Sequence, residues 1–240
     1  MSNVRVLDDA VTGAWGLARQ ELIEIVLSGR ARCRRPLILD VGCGTGSTTA
    51  GLVWYGKVTG VEPVKEYRDV AKKNGIDCLD GTAERYPASC KKYDVITLFD
   101  VLEHCENDSL ALREAKRHLR RDGVIFLTVP AIQSLFGSAD AYWGHLRRYN
   151  KRQLLHVASR AGLVPVECFY WNWLALPIIA IYRLLNKNGP MRPMPAPSGL
   201  GGFVLYTLLG IENWLKESFN ISGWRGLTLV MVLKHEKVKR

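Results

Sequence analysis

Apolar residues recur along this chain in two alternating rhythms. Trp15, Leu22, Ile23, Val26 and Leu27 fall near helical spacing and predict an amphipathic helix over Thr12 to Ser28. Pro36-Leu37-Ile38-Leu39-Asp40-Val41 is a short apolar run ending in glycines, the pattern of a buried strand followed by a tight turn. The alternation then continues. Helices are predicted over Ser47 to Tyr55, Val64 to Asn74, Ser109 to Leu119 and Lys151 to Ala161. Strands are predicted at Lys57 to Val61 (ending at Glu62), Gly75 to Leu79, Tyr93 to Phe99, Gly123 to Val129, Leu163 to Tyr170 and Leu227 to Lys234. Strands and helices alternating at this spacing predict an α/β fold with a parallel, doubly wound sheet.

One stretch breaks the rhythm. Trp173 to Leu185 is almost wholly apolar, Asn186 to Gly202 is rich in proline and glycine (Pro190, Pro193, Pro195, Pro197), and Phe203 to Lys216 is apolar again. Both apolar runs fall short of the roughly 20 residues that cross a bilayer, so a helical hairpin insertion is expected. Trp171, Trp173, Trp214 and Trp224 flank it, a placement that suits a membrane interface or a greasy substrate tunnel, and equally a buried lid or a dimer contact. The predicted organisation is an N-terminal helical cap over 1–35, a main domain over 36–170 and 225–236, and the apolar insertion over 171–224.

Composition changes the picture little. With 240 residues, 48% hydrophobic and 23% charged, the chain has the profile of an ordinary globular α/β protein. Cys33, Cys43, Cys78, Cys90, Cys105 and Cys168 include no Cys-x-x-Cys pair, and Met1 to Asp9 has no secretory-type apolar run. Reduced thiols, a cytoplasmic location and no metal site are therefore expected. The net charge of +10 raises nucleic acid or an anionic membrane as a partner. It is concentrated at Arg30, Arg32, Arg34 and Arg35, at Arg113, Lys116, Arg117, Arg120 and Arg121, at Arg147, Arg148, Lys151 and Arg152, and in the tail from Lys234 to Arg240. Solvated helix faces and a basic tail account for these clusters as well.

Gly42, Gly44 and Gly46 follow a buried strand and open a helix, where backbone N–H groups can face a ligand. Dinucleotide enzymes use a similar turn. Here the spacing is Gly-x-Gly-x-Gly, Ser47 stands where a third fingerprint glycine would fall, and Asp40 precedes the loop where a carboxylate can face a cationic amino group. Glu62, at the end of the second strand, suits both hydroxyls of a ribose.

Ile38 to Gly46 resembles the first motif of the class I S-adenosylmethionine-dependent methyltransferases, and Gly60-Val61-Glu62-Pro63 resembles their second-strand acid. Asp80-Gly81-Thr82-Ala83-Glu84 resembles the adenine-side loop, with Thr82 where many members carry Asp. Tyr93 to Phe99, continuing through Asp100-Val101-Leu102-Glu103-His104, resembles the fourth strand and the helix start beside the methionyl end. The resemblance implies S-adenosyl-L-methionine held by Asp40, Gly42, Cys43, Gly44, Gly46, Glu62, Pro63, Thr82, Ala83, Glu84, Phe99, Asp100 and Val101. It also implies a mostly parallel seven-stranded Rossmann-like sheet with an antiparallel last strand, the apolar insertion lying before that strand.

Methyl transfer from a sulfonium is an in-line displacement, and a hydroxyl acceptor must also lose a proton. His104 lies at the carboxyl edge of the sheet, as a base or as a helix-start residue satisfied by backbone. Asp140-Ala141-Tyr142-Trp143-Gly144-His145-Leu146-Arg147-Arg148-Tyr149 resembles the Gly-His-x-Arg-Arg-Tyr stretch of a broad branch of the family. In one reading His145 is the base, Tyr142 and Trp143 wall the pocket, and Arg147 or Arg148 pairs with an acidic acceptor. In the other, the arginines and Tyr149 clamp the loop to the sheet. The expected acceptor is a small molecule, a glycan or a lipid-linked compound, with peripheral membrane association or a homodimer through 171–224. Three alternatives stand beside it. A nucleic-acid methyltransferase is disfavoured because Thr128-Val129-Pro130-Ala131 lacks the Asn/Asp-Pro-Pro-Tyr signature. A nicotinamide oxidoreductase is disfavoured by the glycine spacing. A non-catalytic cofactor-binding scaffold is the third.

Overall fold

The computed structural model describes residues 13–28, 35–87, 91–190 and 199–236; Arg30, Arg32, Cys33, Arg34, Cys90, the prolines at 193, 195 and 197 and the last four residues of the basic tail lie outside the described residues. In chain order the elements are α1 (Ala14–Leu27), β1 (Leu37–Val41), α2 (Ser47–Leu52), β2 (Lys57–Glu62), α3 (Lys65–Lys73), β3 (Asp77–Asp80), β4 (Tyr93–Phe99), α4 (Asp108–His118) and β5 (Leu119–Pro130). They continue with α5 (Ser138–Tyr142), α6 (Lys151–Arg160), β6 (Leu163–Trp171), α7 (Leu176–Leu185), α8 (Gly199–Phe219) and β7 (Thr228–His235). Single 3-10 turns fall at Leu102–His104 and Gln133–Leu135.

The strands form one seven-stranded sheet in the order β3-β2-β1-β4-β5-β7-β6. β1 to β5 pair in parallel, whereas β7 runs antiparallel to both β5 and β6. The central strands carry continuous apolar runs because helices cover both faces. On one face Leu39, Ile96, Leu98, Leu112, Leu127, Leu154 and Met231 form the larger core; on the other, Leu22, Ile38, Phe126, Val230 and Leu209 pack beneath α1 and α8. The reversal of strand order between β1 and β4 opens a crevice at their carboxyl ends, where open α/β sheets bind ligands.

Local chemistry sets the element boundaries. Asn107 caps α4 by accepting from the Leu110 N–H at 3.0 Å, and Asn150 with Gln153 forms a reciprocal capping box on α6. β5 begins at Leu119, before the expected Gly123, because its pairing with β4 continues past a register shift at Tyr93/Val95. Lys116, Arg117 and Arg120, from the basic stretch on and after α4, bond to the Gly162 carbonyl, Glu114 and Asp94 respectively, so part of that positive patch is neutralised within the fold.

The two apolar helices before β7 dock separately. α8 lies along α1, where the buried Asn213 side chain donates to the Ala18 carbonyl at 2.8 Å and accepts from the Trp171 indole N–H at 3.0 Å. α7 ends beside the segment after β5: the Lys187 carbonyl accepts from the Ser138 N–H at 3.0 Å, and Arg183 pairs with Asp140 at 3.0 Å. No helix among the described residues is long and apolar enough to cross a membrane.

Candidate active site

The glycine loop is fastened at both ends. The Gly42 and Cys43 N–H groups donate to the Val61 carbonyl at 2.7 and 3.1 Å, tying the loop to β2. Gly42 has φ +74°, and a Cβ there would stand 2.6 Å from a methyl of Val101, so the loop can rest on β4's continuation only as glycine. Gly44 also has positive φ, but a Cβ on it would meet nothing within 4 Å. That side of the loop is open, as a ligand's close approach to backbone requires. Gly46 N-caps α2 from the left-handed region.

Asp40 does not face that opening. Its buried carboxylate accepts from the Thr49 hydroxyl at 2.5 Å and the Thr97 hydroxyl at 2.6 Å, and burial raises its pKa despite those bonds. The expected contact with an amino group gives way to a structural role, in which Asp40 ties α2 to β4 beneath the loop. Cys43 also points inward, its Sγ 3.4 Å from that of Cys78; that partner first, and burial second, raise its thiol pKa.

Glu62 is arranged differently. One carboxylate oxygen accepts from the Gly44 N–H at 3.0 Å and the other from the Val64 N–H at 2.9 Å. Burial raises its pKa against those bonds and the nearby Arg68 charge. Each oxygen keeps an unused acceptor direction, matching the two hydroxyls of a ribose. The exposed Pro63 offers its carbonyl to Arg68 at 2.7 Å. The residues present thus fit an adenosine-type ligand through an open glycine face and a two-oxygen acceptor on neighbouring strands.

The adenine-side loop is a tight turn in which Thr82 and Arg85 exchange backbone hydrogen bonds at 2.8 and 3.1 Å. Thr82 is exposed and Ala83 packs into the core. Glu84 departs from expectation: its carboxylate accepts from the Asn107 N–H at 3.1 Å, supporting the start of α4. Phe99 packs edge-on against Phe126. Asp100, at φ +54°, accepts from Thr128 and pairs with Arg19 at 2.8 Å.

Arg19 was not anticipated from sequence. Its guanidinium donates to Thr128 at 2.6 Å and lies over the Trp15 and Phe99 rings, joining α1 to the carboxyl edge of β4 and β5. Its signal was a charge inside the apolar stripe of the first helix, between Trp15 and Leu22.

Beyond Val101 the chain turns through Glu103 and His104, and the segment after β5 comes back to meet them. The Leu146 N–H donates to the Glu103 carbonyl at 2.8 Å, and the His104 and His145 rings stand edge to face with centroids 4.7 Å apart. His145 is therefore brought to the same edge as His104. Its Nδ1 lies 3.1 Å from Asp140, whose second oxygen accepts from the Gly137 N–H at 3.0 Å. Burial opposes charge on Asp140, but hydrogen bonds from His145 and Arg148 and the charges of Arg148 and Arg183 outweigh it and hold the carboxyl below its usual range. Partial desolvation of its ring beside His145 lowers the pKa of His104, although the residue as a whole is exposed. Tyr142 packs edge-on against Trp143.

Arg148, expected to meet an acidic acceptor, is buried and already committed. It donates to Asp140 at 2.6 Å and to the Ala131 carbonyl at 2.9 Å, holding Asp140 in place beside His145. Arg147 pairs with Asp108, and the Tyr149 hydroxyl bonds the Leu102 carbonyl at 3.1 Å and Asp108 at 3.0 Å. For these three residues the clamp is the arrangement found.

Comparison with known proteins extends this description. A model described as a methyltransferase domain matches residues 39–127. The chain is 34% identical over 103 residues to a ubiquinone biosynthesis O-methyltransferase of Actinobacillus pleuropneumoniae serotype 7, covering 38% of this chain and 44% of the relative. It is 31% identical over 109 residues to the enzyme of that name from Azorhizobium caulinodans, covering 41% of this chain and 43% of the relative. The chain thus spans less than half the length of either relative. A solved Thermotoga maritima S-adenosylmethionine-dependent methyltransferase, described as a possible histamine N-methyltransferase, superposes with a TM-score of 0.60 at 17% identity, covering 98% of this chain and 96% of that one. The [4+2]-cyclase SpnF gives 0.60 at 17% identity over 94% and 84%. At such identities the likeness is one of fold.

Proposed function

We propose that this chain, which carries a class I S-adenosylmethionine-dependent methyltransferase domain, methylates a hydroxyl of a small apolar or lipid-linked acceptor. The observation that carries this reading is the close succession of the two sites. The open glycine cradle rests on Val101, and two residues later the chain enters the Glu103–His104–His145 cluster. When bound, S-adenosyl-L-methionine supplies a methyl group on a positively charged sulfur, which needs an aligned nucleophile more than any further activation.

In this reading Glu62 receives the ribose hydroxyls, the open face at Gly44 admits the ligand, and Asp40 keeps the loop in shape from below. Thr82 and Ala83 border the adenine, and Phe99, Asp100 and Val101 line the methionyl side. His145 and His104 activate the acceptor oxygen, with Tyr142 and Trp143 beside it. Oxygen is favoured as the acceptor atom by the O-methyltransferase relatives. An apolar acceptor is favoured by α7, tied to Asp140 through Arg183, and by α8, which together present Ile178, Leu185, Phe203 and Trp214 to solvent. The segment 171–224 then serves as the acceptor-facing lid.

The test is transfer of labelled methyl from S-adenosylmethionine into a cell extract separated into lipid, small-molecule, nucleic-acid and protein pools. Label is expected in the lipid or small-molecule pool as a base-stable ether. Label confined to nucleic acid or protein overturns the acceptor class. In His145→Ala, cofactor affinity is expected to persist while turnover is lost; full turnover in that variant would make His145 structural.

A further inference from the structure

Glu103 presents a physical problem. It is 0% exposed, and neither carboxylate oxygen takes a hydrogen bond from another residue. A buried carboxyl without a donor is costly, and such groups are normally paired or bound to a cation. Two further ligand-type atoms face it. One nitrogen of His104, one of His145 and one Glu103 oxygen all lie within 4.8 Å of one another, with His145 Nε2 3.9 Å from Glu103 Oε1.

The orientation of His145 is also fixed. Nδ1 lies 3.1 Å from Asp140, which can only accept when ionised, so the neutral tautomer that donates there leaves the Nε2 lone pair on the Glu103 side. A carboxylate behind the far nitrogen of a ligating imidazole is the usual supporting arrangement at metal sites, where it sets the tautomer and raises the ligand's basicity. Arg148, Arg183 and the Gly137 N–H in turn hold Asp140. The group is graded from inside to outside, with Glu103 buried, His145 half-buried and His104 exposed. One side is therefore left for water or an acceptor oxygen.

We infer that Glu103, His104 and His145 form a divalent-cation site at the mouth of the acceptor pocket, with Asp140 as its supporting carboxylate. Two imidazoles and one carboxylate suit a borderline first-row ion such as Zn²⁺, Co²⁺ or Fe²⁺ better than Mg²⁺ or Ca²⁺, which prefer an all-oxygen shell. The ion's role rests on the proposed hydroxyl methylation, because an acceptor hydroxyl bound at the open side loses its proton to water more readily. The oxygen then forms its bond to the methyl carbon as the C–S bond breaks, and that electron pair leaves on a neutral thioether.

Co²⁺ is the probe, because its visible absorption reports nitrogen and oxygen ligands directly. The full-length, tag-free chain, stripped with chelator, is expected to bind one Co²⁺ with a new visible band and to release it to excess Zn²⁺. Glu103→Gln and His104→Ala should abolish the band while S-adenosylmethionine affinity and circular dichroism stay unchanged. Asp140→Asn should weaken Co²⁺ binding by about 10–100-fold. Absence of saturable Co²⁺ binding, or equal binding by Glu103→Gln, overturns the site. The two proposals fail separately. Full methyl transfer by cation-free protein removes the ion and leaves the methyltransferase reading, whereas a bound cation with no hydroxyl acceptor in any pool does the reverse.

Discussion

Glu62 and Gly42 illustrate how single residues divide the work at the crevice. Glu62 uses one direction of each oxygen on the backbone and leaves the other for a ligand. Glu62→Ala should therefore abolish measurable S-adenosylmethionine binding in calorimetry while the chain stays folded; unchanged affinity would sink the ribose assignment. Gly42→Ala should instead destabilise the fold, by roughly 1–3 kcal/mol for the left-handed backbone alone and more from the Val101 contact, read as a lowered denaturation midpoint. Both positions stand out in the sequence because a tight turn after a buried strand, and an acid at the end of the next strand, constrain local residue type. Arg148 and Glu84 were not. Sequence spacing puts them at the right edge of the sheet, but only folding decides whether a charge ends on a ligand or on Asp140 and the Asn107 amide. The Glu103–His104–His145 cluster was hidden for the same reason. Its members come from two loops that meet only when Leu146 bonds to the backbone at Glu103.

Among the elements, the parallel strands were read to within about two residues except at the start of β5, since buried apolar runs bounded by glycine and proline leave few alternatives. α7 and α8 were recognised as apolar helices, but their separate docking depends on polar anchors that periodicity does not reveal. One of these is Glu212 on α8, a buried carboxyl that accepts from the Leu174 N–H at 2.7 Å and is pushed up to about 7, chiefly by burial. An acid whose folded pKa lies above its unfolded value binds protons more strongly when folded. Its contribution to stability is therefore complete at low pH and is lost as pH rises from about 4.5 toward about 7, up to roughly 3 kcal/mol in all. Glu212→Gln should flatten that part of the stability–pH curve, measured by denaturant unfolding across the window. An unchanged slope would remove Glu212 as its source.

For the molecule as a whole, net charge and exposed apolar helices coincide. The net charge is +10, and Leu185 and Trp224 are 81% and 84% exposed within the region expected to meet a greasy partner. Exposed aromatic and aliphatic side chains on a basic protein suit the interface of an anionic bilayer. The chain should co-sediment with vesicles containing phosphatidylglycerol, and Phe203→Asp with Trp214→Asp should release it while leaving cofactor affinity intact. A concentration-dependent dimer with no vesicle binding would assign the face to a second copy of the chain.

Arg183 sits on the apolar helix α7, yet its partner is the carboxylate that orients His145. Exchange of α7 would remove Arg183 from Asp140 and leave Arg148 and the Gly137 N–H to hold the carboxylate alone. In the proposed reading, the acceptor-facing segment and the catalytic histidine are thereby linked. A chimera that transplants 171–224 from another methyltransferase should recover turnover only when a basic residue is restored at the position of Arg183.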